Sequence, residues 1–291
     1  MSIFGKSLPQ RAAPETREAE IYDTARRPHP LVEELQALYR YRELVMQFVA
    51  RAIKTRYKRS VLGVVWTMLN PLLTMLVLTV VFSQIVRFSA EQSYPYSVYV
   101  LSGLTVWRFF SSATSGAMGE MLWSGQLLSR IYVPKSVFPV ASMLTGLADL
   151  GIAMLPLLVI TLLLGVPLRP AALVLPLSVL LLALFTLGLG LLLSTAAVYF
   201  ADMLPVYEVA LTIWMYATPI IYPLETVPEA WQPLLKLNPL YHMVELFRQP
   251  LLAGSLPALE TWLIAGGCAL GALALGGYVF TARINEYAYR I

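Results

Sequence analysis

The amino-acid sequence predicts an all-α integral membrane protein, and three observations carry that prediction. Hydrophobic residues make up 58% of the 291 and charged ones 13%, with a mean hydropathy of +0.67; a soluble domain carries roughly 25% charge. The apolar residues fall into runs of bilayer length, about 20 residues each. A basic cluster, Tyr57-Lys58-Arg59, abuts the first of these runs, which is interrupted only by Asn70-Pro71. Lys and Arg flanking a span stay on the cytoplasmic side, so the N-terminus is expected inside.

Residues 1–30 are polar, charged and broken by Pro9, Pro14, Pro28 and Pro30, which reads as a flexible cytoplasmic tail. The first sixty residues hold no apolar core of a signal peptide, so no cleaved leader is expected. From Leu31 to Ser60 the pattern changes. Leu31, Leu35, Leu38, Val45, Phe48 or Val49, and Ala52 recur at helical spacing, while Arg40, Arg51, Lys54 and Lys58 take other angles. This predicts an amphipathic interface helix with a basic face, suited to the headgroup plane or to a soluble partner.

Six spans follow: residues 61–86, 97–118, 137–164, 171–199, 204–222 and 257–282. They form one transmembrane domain, 61–282, and the segment 283–291 returns to the cytoplasm. Charge supports this topology: from Arg42 onward ten Lys and Arg fall inside and four outside. The pI near 9.1 suggests nucleic acid, but the basic residues crowd against spans, where anionic headgroups are the better partner.

Two connections are unusual. Between the second and third spans, residues 126–132 predict a short cytoplasmic helix ended before Pro134. Between the last two spans, apolar turns are broken by Pro223, Pro228, Pro233, Pro239 and Pro250. Too short to cross, they predict re-entrant or interfacial outer helices, which need protein or a wet cavity to satisfy their backbone. No internal repeat is visible.

Several chemistries are excluded. The two histidines, His29 and His242, lie far apart, so neither a histidine metal site nor a Ser-His-Asp triad is expected. Cys268 is the single cysteine. Gly5-Lys6-Ser7 imitates the end of a phosphate-binding loop whose first glycine would have to precede Met1. No nucleotide or cofactor site is expected in the chain, and ATP-driven transport would need a separate ATPase.

Arg108, Asp149 and Glu208 fall within spans, where charge is costly and faces a bundle interior or cavity. Asp149 and Glu208 could relay protons in an antiporter, or pair structurally. Aromatic residues collect at the outer ends of spans: Tyr94, Tyr96, Tyr99, Trp107, Tyr216 and Tyr222, with Trp231 and Tyr241 beyond. They suit an interfacial belt, or a wet path whose rings stack on successive sugars. Arg56, Lys58 and Arg59 suit the anchoring of lipid or the binding of a pyrophosphate headgroup.

These blocks together resemble a family. Residues 53–66, Ile-Lys-Thr-Arg-Tyr-Lys-Arg-Ser-Val-Leu-Gly-Val-Val-Trp, are followed by Leu69-Asn70-Pro71-Leu72. Then come Leu128-Ser129-Arg130-Ile131-Tyr132-Val133-Pro134-Lys135, Thr218-Pro219-Ile220-Ile221-Tyr222-Pro223, Leu237-Asn238-Pro239-Leu240 and Phe247-Arg248. In this order they are similar to the ABC type-2 permeases that export O-antigen, capsule and teichoic acid. The chain departs from that pattern where Ala52 follows Arg51 and where Ala201 precedes Asp202.

The resemblance implies a homodimer joined to two cytoplasmic ATPase chains, which would carry ATP and magnesium. It implies that Gln126, Leu127, Leu128, Arg130, Tyr132, Pro134 and Lys135 belong to a coupling helix seated on the ATPase. The first and fifth spans would line the path, and the cargo would be a polysaccharide on undecaprenyl pyrophosphate. Exporters of small drugs or lipids share the topology and remain the alternative, beside an ion-coupled carrier.

Overall fold

The structure is a computed structural model that describes residues 30–58, 61–82, 94–123, 133–200, 202–284 and 287. These residues form helices and turns, with no strand among them. In place of one interface helix the chain forms two, α1 (Pro30–Arg40) and α2 (Arg42–Tyr57). They part at Tyr41, whose φ of −97° and ψ of 19° leave the helical range. In α2, Val45 and Val49 are buried against Val133, Val137, Phe138 and Ala141, and Phe48 meets Phe138 edge to face. On the other side Arg51, Lys54 and Lys58 are exposed at a spacing of three and four residues. The period of 3.6 therefore sorts α2 into an apolar seam and a basic face.

Gly63, at φ +49°, turns the chain between α2 and α3 (Val65–Phe82). That left-handed position suits glycine and delays the helix beyond the expected Val61. Then follow α4 (Tyr96–Trp123), α5 (Val137–Leu163) and a short 3-10 turn (Pro170–Val174) leading into α6 (Leu175–Tyr199). Next is α7 (Met203–Tyr216). It stops short of the expected Tyr222 because Pro219 disfavours helix at Thr218 and brings no N–H of its own. The outer segment holds a 3-10 turn (Leu224–Thr226), α8 (Gln232–Lys236), α9 (Pro239–Arg248) and a π turn (Gln249–Ala253) ended by Gly254 at φ +65°. Last comes α10 (Leu259–Arg283).

Four described helical segments are long and apolar enough to cross a bilayer: α3, α5, Pro170–Tyr199 with α6, and α10. Where the other two crossings were expected stand α4, with 28 residues, and α7, a largely apolar helix of 14. The more polar α4 is the centre of the fold. Nineteen of its residues are buried, against α3, α5, α6, α7 and α9. By contrast α3 buries only Pro71, and α7 only Tyr207 and Leu211. Their exposed faces are mostly apolar (Leu73, Leu76, Val77 and Val80; Val206, Val209 and Ile213), as suits surfaces meeting lipid or another subunit, with Glu208 the exposed charge on α7.

Helices α6 and α10 make the closest approach. A Cβ on Gly276 would lie 1.9 Å from the Gly188 carbonyl oxygen, and one on Gly188 would lie 2.3 Å from the backbone of Ala272. Lipid tails are as apolar as Leu, so helices in a bilayer associate through such close packing rather than through hydrophobic burial.

Candidate functional site

Two polar stripes run along α4 and α5. On α4, Thr105, Arg108, Ser112, Gly116 and Glu120 recur every three or four residues; on α5, Ser142, the pair Thr145 and Gly146, and Asp149 do the same. Helical spacing puts each set on one face. The two faces meet in a groove covered by α2, where a cavity of about 90 Å³ reaches from Glu120 to Asp149. Arg56, Ser112 and Asp149 also wall a second cavity, of about 440 Å³, which extends to Arg108 and to Trp66 and Asn70 of α3.

Among the described residues, three charges meet in this second cavity. Arg56, near the end of α2, donates to the Asp149 carboxylate, 93 residues away. The Arg56 side chain is 48% exposed and Asp149 14%. Arg108 is the single exposed residue between Val98 and Phe110. Among the described residues, its wall thus carries two guanidiniums and one carboxylate. Of the three ionisable residues noted within spans, two thus share one cavity, whereas Glu208 is exposed on α7.

At the opposite end Arg248, 2% exposed, reaches from α9 to α4. It donates to the Pro219 carbonyl at 3.1 Å, to Glu245 at 3.3 Å and to the Tyr99 carbonyl at 3.4 Å. A Cβ on Gly103 would lie 2.7 Å from its guanidinium, so this turn of α4 leaves the space Arg248 occupies. Asn238 knits the same region. Its side-chain carbonyl accepts from the Leu240 N–H at 3.0 Å, capping α9, and from Trp214 at 2.8 Å. Its amide donates to the Ala217 carbonyl and to Thr218. Asn before a Pro at the first helical position is a local cap signal, whereas the partners on Ala217 and Thr218 are long-range.

The aromatic candidates divide. Tyr94, Tyr96, Tyr99 and Tyr222 gather around residues 219–222: Tyr96 donates to the Ile221 carbonyl at 2.7 Å, and Tyr99 to those of Pro219 and Tyr222. Tyr94 stacks on Tyr99 with the ring planes 4° apart. Trp107 is buried further along α4 against Phe110. Tyr216 is 62% exposed at the end of α7, and its carbonyl accepts from Tyr222. Burial pushes the hydroxyl of Tyr241, in the outer segment, up to about 12, with Glu245 adding to the rise.

On the other side, Pro134 and Lys135 belong to a joint of three segments. Lys135 donates to the Ile284 carbonyl and lies 5.3 Å from the centre of the Tyr287 ring. Ser136 donates to Glu34 of α1. Burial raises the Glu34 carboxyl above its usual range, opposed by the Ser136 hydrogen bond, and lowers the Lys135 amine, opposed by Glu34. Tyr287 in turn donates to Thr195 of α6. Gln126, Leu127, Leu128, Arg130 and Tyr132, like Arg59, lie outside the described residues. Lys58 is exposed just after α2. No cluster of groups able to hold a metal ion occurs among the described residues.

Membrane-length helices around a charged cavity, with a polar joint at one end and a pinned, proline-rich segment at the other, define a multi-helix membrane protein of the transporter class. Residues 43–252 match the ABC-2 type transporter family, and the chain belongs to it. It is 29% identical over 263 residues to the O-antigen export system permease protein RfbA of Myxococcus xanthus, spanning 90% of this chain and all of that relative. A protein of the same name from Klebsiella pneumoniae is 27% identical, over 74% of this chain and 82% of its own length. The polysialic acid transport protein KpsM of Escherichia coli is 28% identical, over 70% and 79% respectively.

Proposed function

We propose that the chain is the membrane-spanning subunit of an ATP-driven exporter, moving polysaccharide linked to undecaprenyl pyrophosphate across the inner membrane, with O-antigen the favoured cargo. The observation that carries this reading is likeness to a named O-antigen export permease along that relative's whole length, joined to an ABC-2 family match. On this reading α3, α4, α5, α6, α7 and α10 make six crossings and both termini are cytoplasmic. Two copies form the conduit, and the exposed apolar residues of α7 suit contact with the second copy. No step of ATP hydrolysis falls to this chain. Two copies of an ATPase would bind ATP and magnesium and push on the loop that ends at Lys135.

Arg56, Lys58 and Arg59 would meet the pyrophosphate at headgroup depth, since guanidinium binds phosphate through paired hydrogen bonds. The tyrosines at the outer end of α4 would lie near the exit, whose frame Arg248 and Asn238 hold. Co-expression with an ABC ATPase subunit tests the reading. The expected result is a stable complex that moves lipid-linked glycan in proteoliposomes only with ATP. Transport by the chain alone, without nucleotide hydrolysis, overturns it. Arg56→Ala and Arg59→Ala are expected to impair export while leaving insertion and dimerisation intact.

A further inference from the structure

The cavity between α3, α4 and α5 holds more chemistry than a static ion pair requires. Its volume of about 440 Å³ falls within the 300–1,000 Å³ typical of small-molecule sites. Arg56 comes from α2, Arg108 from α4 and Asp149 from α5, so three separate elements aim charge into one space. The wall adds Ser112, the amide of Asn70 and the indole of Trp66. These are donors and one flat amphipathic ring, set, among the described residues, opposite the Asp149 carboxylate.

We propose that this cavity binds a phosphate-bearing anion, with Arg108 and Arg56 as its cationic arms and Asp149 as a built-in competitor. The Asp149 carboxylate occupies Arg56 in the empty state. An incoming phosphate displaces it, because a phosphate offers more oxygens to a guanidinium than a carboxylate does and can be shared with Arg108. Asp149, displaced from Arg56, then faces the incoming negative charge, and that repulsion is the cost a phosphate has to outweigh. The exposed apolar face of α3, with Leu73, Leu76 and Val77, runs away from Trp66 and can carry an acyl or prenyl chain while the headgroup sits inside. A lipid headgroup and a free phosphate share the recognising chemistry, and the test separates them. The inference deepens the export reading by adding Arg108 and the competition by Asp149, but its binding measurements need no transport.

The test uses the full chain in phosphatidylcholine nanodiscs. Inorganic pyrophosphate is titrated by calorimetry, and phosphatidic acid added to the nanodiscs is counted by native mass spectrometry. Arg108→Gln is expected to weaken binding about tenfold or more, whereas Asp149→Asn tightens it several-fold. Ser112→Glu supplies a second competing carboxylate on the wall shared by Arg56 and Asp149 and abolishes binding in a chain that still unfolds at the wild-type temperature. Retention of phosphatidic acid without pyrophosphate assigns a lipid headgroup; the reverse assigns a soluble phosphate. Unchanged affinity in both Arg108→Gln and Ser112→Glu overturns the proposal, as does weaker binding in a folded Asp149→Asn. ATP-driven export is measured separately: export with no phosphate binding removes the site alone, and phosphate binding with no ATPase partner removes the export reading alone.

Discussion

The guanidinium of Arg248 lies 3.6 Å from the centre of the Tyr99 ring, joining α9 to the first turn of α4 across 149 residues of sequence. The ring face attracts the cation while the guanidinium edge donates to carbonyl oxygens and to Glu245. Both partners are buried, so neither water nor salt screens the contact effectively. The contact fixes where the outer segment sits relative to the centre of the fold.

Arg248→Ala removes one donor each from Glu245 and from two carbonyls and empties the space beside Gly103. We expect a loss of about 3 kcal/mol, measured by denaturation in detergent. Arg248→Lys keeps the charge but neither the planar stack nor the fork of donors, so it recovers only part of the loss. Full recovery by lysine would show that charge alone holds the segment.

Asn238→Ala removes the cap of α9 and orphans the Trp214 N–H. Cap and hydrogen bonds together amount to about 2 kcal/mol. Asn238→Asp keeps the acceptor for Leu240 and Trp214 but cannot donate to Ala217 and Thr218, so its stability should fall between wild type and alanine. Thermal unfolding followed by Trp fluorescence checks the order.

Gly276→Ala drives a methyl group into the Gly188 carbonyl and should lower stability by about 2 kcal/mol or more as α6 and α10 separate. Gly271→Ala, on the same helix, meets nothing within 4 Å and should stay within about 0.5 kcal/mol of wild type. Equal effects of the two substitutions would rule out the close approach.

Glu34 gives the joint a pH dependence. Its carboxyl is raised by burial, so the folded chain binds that proton more tightly than the unfolded chain. The resulting stability is fully present below the ordinary carboxylate pKa and is lost as pH rises through the raised value. Glu34→Gln keeps a hydrogen-bonding partner for Ser136 but cannot ionise. The variant's unfolding temperature, relative to wild type, should therefore climb as pH goes from about 4 to about 7. A difference independent of pH would show that Glu34 is not titrating there.

Much of this organisation was legible because its causes are local. Apolar runs of bilayer length named α3, α5, α6 and α10 to within a few residues, since a helix is the form in which one segment satisfies its own backbone in lipid. The basic face of α2 followed from spacing alone. The break at Tyr41 and the early end of α7 were not drawn from the sequence, although Pro219 was there to signal the second. By hydropathy Arg248 reads as a charge of the outer segment, because hydropathy cannot tell a charge in water from one stacked on Tyr99. Asp149 and Glu208 looked alike as acids within spans. Packing separates them, since α2 carries Arg56 to Asp149 while Glu208 stays exposed on the uncovered face of α7.

By itself, then, the sequence determined the solvent, the helical class, the orientation signal and the family blocks, all properties of contiguous residues. Only the tertiary structure decided that Arg56 meets Asp149, that Arg108 shares their cavity, that Gly188 faces Gly276 and that Arg248 closes on Tyr99. Each of those contacts joins residues far apart along the chain. Their energies depend on distance and burial, which no local pattern of residue types contains.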